Sequence, residues 1–213
     1  MISAFDLDKT LFFVNTSVRF GRFLYRKGYI STRILFSLLC FYGLFRLGWL
    51  STKTLHRKAF QRFFQGKDKG NLEELAALFL HEEYDKIVFP PAMARFLKAK
   101  KEGHYVAILS NSPDFLVRVI ATKLSAHEWA GTRYSVDAKG CIDRVALEVD
   151  GREKAKILFD IAKRQNVDLK EVYAYSDSKE DLPFLRLAGH PVVVNGDRHL
   201  RKIARKNKWE VLA

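Results

Sequence analysis

Three short apolar runs, far apart in the chain, each end abruptly in a cluster of polar side chains. That arrangement constrains the fold more than any other feature. Ile2–Phe5 runs into Asp6-Leu7-Asp8-Lys9-Thr10, residues 105–109 into Ser110-Asn111, and residues 172–175 into Ser176-Asp177-Ser178, with Glu180 and Asp181 close behind. Four or five apolar residues bounded by polar ones suit a strand buried on both faces. Helical patterning fills the intervals, over residues 92–101, 113–124, 154–165, 181–188 and 199–206. Residues 191–194 read as a further strand and 209–212 as an edge strand. Residues 134–149, with Lys139-Gly140 in the middle, read as a β-hairpin. Strand–helix alternation of this kind predicts an α/β fold with a doubly wound parallel sheet and helices on both faces. Ligands bind at the carboxyl ends of strands in such sheets, so the three polar clusters are expected to face one crevice.

The stretch after the first run has a different composition. Residues 11–70 hold twelve Lys and Arg against one acid, Asp68, and ten of the seventeen Phe. Almost all of the chain's net charge of +13 lies there. The pattern is helical: residues 17–28 closing at Lys27-Gly28, then 32–50, then 53–64 capped by Ser51 or Thr52 and stopped by Gly66, then a helix capped by Asn71. Pro90-Pro91 marks the return to the scaffold. The expected organisation is a scaffold of residues 1–13 and 89–213 with a helical insert at 14–88.

Such an insert attracts anions. Residues 34–45 carry no charge, but twelve residues fall short of the ~20 needed to span a bilayer. A span there would also part Asp6 from Ser110, Lys154 and Asp177. Two readings stay open: a buried helix, or an interfacial segment against an acidic membrane surface. Cys40, on this segment, is expected to be a small buried hydrophobe. No nucleic-acid-binding motif is present, and the basic residues flank an apolar stretch instead of forming a stripe, so nucleic acid is not the expected partner. The six histidines show no metal-ligand spacing, and two cysteines imply no disulfide framework. A cytoplasmic protein is expected, at most peripheral on the inner face of the cell membrane. No secretory leader is expected, because the apolar start runs straight into Asp6 and Asp8.

The polar ends of the three runs bring Asp6, Asp8, Asp177 and Asp181 together with hydroxyls and with Lys154. Clustered carboxylates repel unless a cation intervenes. An oxygen-rich set of this kind suits Mg²⁺, which keeps waters and meets substrate phosphate through a few carboxylates. Residue type and position alone therefore point to metal-assisted phosphoryl chemistry.

The same residues resemble the four ordered motifs of the haloacid dehalogenase superfamily: Asp6-Leu7-Asp8-Lys9-Thr10, then Ser110, then Lys154, then Ser176-Asp177-Ser178 with Asp181. The helical insert resembles the cap of subfamily IB, the branch with phosphoserine phosphatases. The stretches around Ser110 and Asp177 look most like less characterised members, among them a bacterial phosphatidylglycerophosphatase. The resemblance implies a Rossmann-like core and a helical cap inserted after the first strand. It also implies an aspartyl-phosphate mechanism, with Asp6 as nucleophile and Asp8 as general acid and base. Mg²⁺ would be held by Asp6, Asp177 and the carbonyl of Asp8. Ser110, Asn111 and Lys154 would bind phosphate, Thr10 would brace the nucleophile loop, and Asp181 and Ser178 would support the site from behind. On the cap, Asn15, His56 and Arg57 would meet substrate. Lys9 stands where the family often has Gly. Asn15 stands where phosphoserine phosphatases carry a Glu that pairs with the substrate amine.

The expected activity is hydrolysis of a phosphomonoester. The substrate suggested by the basic, apolar insert is a membrane lipid phosphomonoester such as phosphatidylglycerophosphate. The alternatives are a soluble metabolite phosphatase, phosphoserine-like or sugar-phosphate-like, and a membrane- or partner-binding module with a vestigial site. Oligomeric state stays open.

Overall fold

In the computed structural model, which describes residues 1–49, 58 and 60–212, the first apolar run sits between the other two. Strand β1 (Ile2–Phe5) pairs in parallel with β2 (Tyr105–Pro113) on one side and β5 (Val172–Ser176) on the other. Its register is decisive for everything downstream. Ile2 lies between Tyr105 and Val172, and Phe5 between Ile108 and Tyr175. The residues that follow on all three strands therefore leave the sheet at one edge.

The seven-stranded sheet has the order β4-β3-β2-β1-β5-β6-β7, completed by β3 (Glu128–Val136), β4 (Ile142–Leu147), β6 (His190–Val194) and β7 (Glu210–Leu212). Only β4 runs antiparallel, hairpinned to β3. Between β1 and β2 come α1 (Thr16–Arg26), α2 (Thr32–Arg46), α3 (Lys69–Ile87) and α4 (Pro90–Lys101). The later connections hold α5 (Asp114–Leu124), α6 (Gly151–Arg164), α7 (Leu182–Leu187) and α8 (Arg198–Lys206). This is the mostly parallel α/β sheet that the alternation predicts.

Each sheet face buries its own apolar cluster. Ile2 and Ala4 join Leu158, Ile161, Phe184 and Leu200, whereas Phe5 joins Phe20, Phe79, Phe96 and Phe115. That division is the two-residue alternation of a strand covered on both sides. The helical insert shares the second cluster. Phe20 of α1 and Phe64 lie 6.2 and 5.5 Å from the ring of Phe115 on α5. Lys69 Nζ reaches Asp114 Oδ2 at 2.7 Å, and Gly66 N–H donates to Ile142 O. Among the described residues, the insert is thus packed on the sheet's helices and shares their hydrophobic cluster.

Some element ends differ from expectation. The cap of α3 is Asp68, whose side chain accepts from Asn71 N–H at 2.7 Å, so the helix starts two residues before Asn71. β3 begins at Glu128, where it pairs with β2, and turns into the hairpin only at its second half. β2 continues through Ser110-Asn111-Ser112-Pro113 after a register shift beyond Leu109. Cys40 is exposed, not buried. It lies on α2 with Phe36, which is 67% exposed, and beyond the helix Leu47 and Trp49 are 68% and 76% exposed. The expected helix over residues 53–64 falls mostly outside the described residues; residues 60–63 are helical.

A buried carboxylate ties the insert together. Glu83 on α3 accepts from Arg19 Nε at 2.8 Å and from Arg26 Nη2 at 2.7 Å, both on α1. Burial alone would raise its pKa, but the two guanidinium groups outweigh it and hold the carboxyl down at about 2. A depressed folded pKa stabilises above the unfolded value, and the contribution fades as pH falls from 4.5 toward 2. Glu83→Gln is expected to cost about 2 kcal/mol at pH 7 and much less at pH 3. Urea unfolding at both pH values checks this.

Candidate active site

Asp6 is the first residue past β1, and its N–H still bonds to Tyr175 O at 2.9 Å, so the end of the strand pair fixes its backbone. The residue is 4% exposed. The chain then turns sharply. Lys9 has φ 55°, in the left-handed region, and Phe12 N–H returns to Leu7 O. A left-handed residue is where a glycine is at home, and the exposed lysine takes that conformation here. Asn195 Nδ2 bonds Lys9 O at 3.3 Å and anchors the turn from β6's end.

Lys154 arrives from the opposite direction. Helix α6 is capped by Asp150, which accepts from Arg152 and Glu153 N–H, and Gly151 starts the helix directly against the turn after β5. A Cβ on Gly151 would come 2.0 Å from Glu180 O, so no larger residue permits this approach. The close packing drives Lys154 into the interior at 3% exposure. Its ammonium donates to Asp6 Oδ1 and Asp181 Oδ2, both at 2.7 Å. Ser176 Oγ adds a 2.6 Å bond to the same Asp181 oxygen. Burial pushes Asp6 upward, the carboxylates of Asp181 and Asp8 add to this, and Lys154 opposes it. Burial disfavours the Lys154 cation, but the two adjacent carboxylates outweigh that and raise its pKa. Thr10 is fully buried, with its hydroxyl 3.5 Å from Asp6 Oδ2.

Asp8 points to the insert. Its Oδ1 accepts from Thr16 N–H at 2.7 Å; its Oδ2 accepts from Ser112 Oγ at 2.9 Å and Asn15 Nδ2 at 3.2 Å. Burial raises its pKa, and the bonds from Thr16 and Ser112 restrain the rise. Thr16 Oγ1 is buried without a partner among the described residues.

Asp177 stands apart. Its carboxylate makes no hydrogen bond or ion pair among the described residues, while burial pushes it up to about 6, with Lys9 opposing. A half-buried carboxylate without a partner is an acceptor that a cation would satisfy. Among the described residues no three His, Cys, Asp or Glu side chains form a metal cage of their own. The donor set fits Mg²⁺, which keeps several waters and needs only one or two carboxylates.

Several expected site residues are engaged otherwise. Asn15 caps α1, its Oδ1 accepting from Val18 N–H and its amide donating to Asp8. Ser178 Oγ accepts from Glu180 N–H and caps the turn after β5. Asn111 is exposed, and its side-chain oxygen accepts from Thr132 Oγ1 at 2.9 Å, which leaves its NH₂ available. Ser110 is buried at the end of β2, where its hydroxyl accepts from Ser112 N–H at 3.1 Å. His56 and Arg57 lie outside the described residues. Ser176 enters the sequence reading only within the Ser176-Asp177-Ser178 motif, and Ser17 and Ser112 carry no role there; the one signal for Ser112 is its place two residues after Ser110.

The comparisons agree with this geometry. The chain is 30% identical to a probable phosphatase of Mycobacterium tuberculosis over 211 residues, 98% of this chain and 74% of that protein. It is 32% identical to a protein named phosphoserine phosphatase from the same organism, covering 97% of this chain and 68% of that one. A Bordetella pertussis protein of unknown function shares the fold, with a TM-score of 0.82 at 19% identity over 100% of this chain and 97% of that chain. The model of the haloacid dehalogenase-like hydrolase family matches residues 4–186, from within β1 to α7, and the chain belongs to that family.

Proposed function

We propose that the chain is a Mg²⁺-dependent phosphomonoester hydrolase of subfamily IB, working through an aspartyl-phosphate on Asp6. Residues 1–13 and 89–213 form its catalytic scaffold and residues 14–88 its cap. The observation that carries this reading is the contact set around one strand end: Asp6 held at 2.7 Å by a buried Lys154, with Asp8 two residues on and separately hydrogen-bonded.

Asp6, Asp177 and the backbone carbonyl of Asp8 would hold Mg²⁺, whose chemistry there is to offset charge on phosphoryl oxygens. An Asp6 oxygen attacks phosphorus, and the bond from phosphorus to the ester oxygen breaks. Asp8 gives its proton to the departing oxygen; burial, which favours its protonated form, suits it to this. Asp8 then takes a proton from the water that attacks the phosphoryl group, and phosphate leaves with Asp6 regenerated. Lys154, Ser110 and the free NH₂ of Asn111 steady the phosphoryl oxygens. Asp181 and Thr10 hold Lys154 and Asp6 in place.

The substrate we favour is a small soluble phosphomonoester, in keeping with the relatives named above. Asn15 offers no carboxylate for a substrate ammonium, so phosphoserine is not singled out. A lipid phosphomonoester is the second reading. It rests on the exposed apolar residues of α2 and on no relative named here. Among the described residues no helix is long and apolar enough to cross a membrane.

The primary test is hydrolysis of an aryl phosphate with and without Mg²⁺, followed by a panel of phosphoserine, sugar phosphates, lysophosphatidic acid and phosphatidylglycerophosphate. Lack of turnover on every substrate would leave only a binding module. Protons should compete with the metal at Asp177 and Asp6. Because burial pushes the Asp177 carboxyl up to about 6 and that of Asp6, the other carboxylate ligand, up to about 8 without metal, the Mg²⁺ concentration for half-activation is expected to be steady only above about pH 8. Below it, the requirement should rise about tenfold per pH unit, and more steeply below about pH 6. Mg²⁺ titrations on both sides of these two pH values check this.

A further inference from the structure

Asp8 is held from across the chain by a chain of two hydroxyls that the four motifs do not contain. Ser112 Oγ donates to Asp8 Oδ2 at 2.9 Å and lies 2.8 Å from Ser17 Oγ. A hydroxyl has one proton. Since Ser112 gives its own to Asp8, Ser17 must donate to Ser112. The two bonds point the same way, from the insert through the end of β2 to the carboxylate. Such a chain polarises each member toward the charge at its end.

Ser112 is poorly explained as packing. It is 2% exposed, at the irregular end of β2, and its N–H is bonded to Ser110 Oγ. Gly131 on β3 lies beneath it: a Cβ there would come 2.9 Å from Ser112 O and 2.8 Å from Asp114 Cα. The backbone is therefore held from two sides, and the hydroxyl lies within reach of both Asp8 and Ser17. Ser17, by contrast, sits half-buried in the first turn of α1, on the insert. The bond between the two serines adds a route from the insert to Asp8 through β2, beside the direct bonds from Asn15 and Thr16.

We infer that Ser112 is a positioning residue that orients Asp8 for proton transfer to the leaving group, with Ser17 coupling that orientation to the seating of the helical insert. Ser112 and Asn15 hold Oδ2 and Thr16 N–H holds Oδ1, so the carboxylate is oriented through both of its oxygens. The inference rests on the proposed role of Asp8.

Leaving-group dependence tests it. A nitrophenyl phosphate departs without help, whereas a simple alkyl phosphate needs a proton. Ser112→Ala is expected to lower kcat/KM for the alkyl ester about 10- to 100-fold, and for the aryl ester less than about 3-fold. Ser112→Thr, which keeps the hydroxyl, should restore the alkyl activity. Ser17→Ala should move the ratio in the same direction by less, and the double variant should match Ser112→Ala, because Ser17 acts only through Ser112. Ser17→Ala carries the test if Ser112→Ala does not fold. An unchanged alkyl-to-aryl ratio in both serine variants overturns the inference. Asp8→Asn, run beside them, separates the two levels. If it too leaves the ratio unchanged, the role of Asp8 itself fails. If it collapses alkyl turnover while the serine variants do not, only the positioning role falls.

Discussion

Asp6→Asn is expected to abolish phosphate ester hydrolysis, by about 10⁴-fold or more, while leaving the protein folded. An amide has the shape of the carboxylate but no anionic oxygen to attack phosphorus. The fold should tolerate it. Asp6 is buried at the end of β1, where burial already favours an uncharged side chain, and its N–H bond to Tyr175 O belongs to the backbone. Lys154 keeps Asp181 as a partner at 2.7 Å. Rapid acid quench gives a second readout. The wild-type protein mixed with substrate should yield a phosphoprotein that hydroxylamine cleaves, as an acyl phosphate requires, and Asp6→Asn should yield none. Full activity in this variant would move the nucleophile elsewhere and end the proposed mechanism.

The parts of this site that can be read from sequence are those whose chemistry lies at strand ends. Asp6, Ser110 and Asp177 each follow an apolar run, and a parallel register converts three such runs into one crevice. Lys154 was legible as a residue but not as a position. Its burial depends on Gly151 letting α6 touch the turn at Glu180, a contact between segments 29 residues apart that no local pattern announces. The same limit hides the first part of β3. Residues 128–133 look irregular alone, and become a strand only because β2 offers them a partner. Asn15 is legible by its spacing but not by its contacts: a side chain preceding a helix has unpaired N–H groups close by, and its Oδ1 caps Val18 while its amide reaches Asp8. Cys40 was expected inside because it lies in an apolar run. An apolar run fixes no facing, and α2 leaves Cys40 and Phe36 outward.

Lys154→Met should fail in two separable ways, and the way it fails distinguishes catalysis from architecture. Methionine has similar length and no charge, so it removes the ammonium and little volume. Catalysis loses a donor to the phosphoryl oxygens, for an expected fall in kcat of about 10³-fold. Stability suffers because Asp6 and Asp181, 4% exposed each, face one another without the cation between them. Breaking a buried ion pair by removing one partner costs about 3–5 kcal/mol. The sign of the pH dependence follows from the same picture. Without the ammonium, the Asp6 carboxyl, which burial already pushes up, holds its proton more tightly folded than unfolded. The folded state then binds more protons, so stability falls as pH rises. The variant should therefore be more stable at pH 5 than at pH 8, and adding Asp181→Asn should recover part of the loss at pH 8 by removing one of the opposed charges. Neither change should restore activity. Denaturant unfolding of the single and double variants at both pH values measures this. Equal stability of Lys154→Met and wild type at pH 8 would mean that the two carboxylates are not held together by this lysine, and would remove the contact set on which the active-site reading stands.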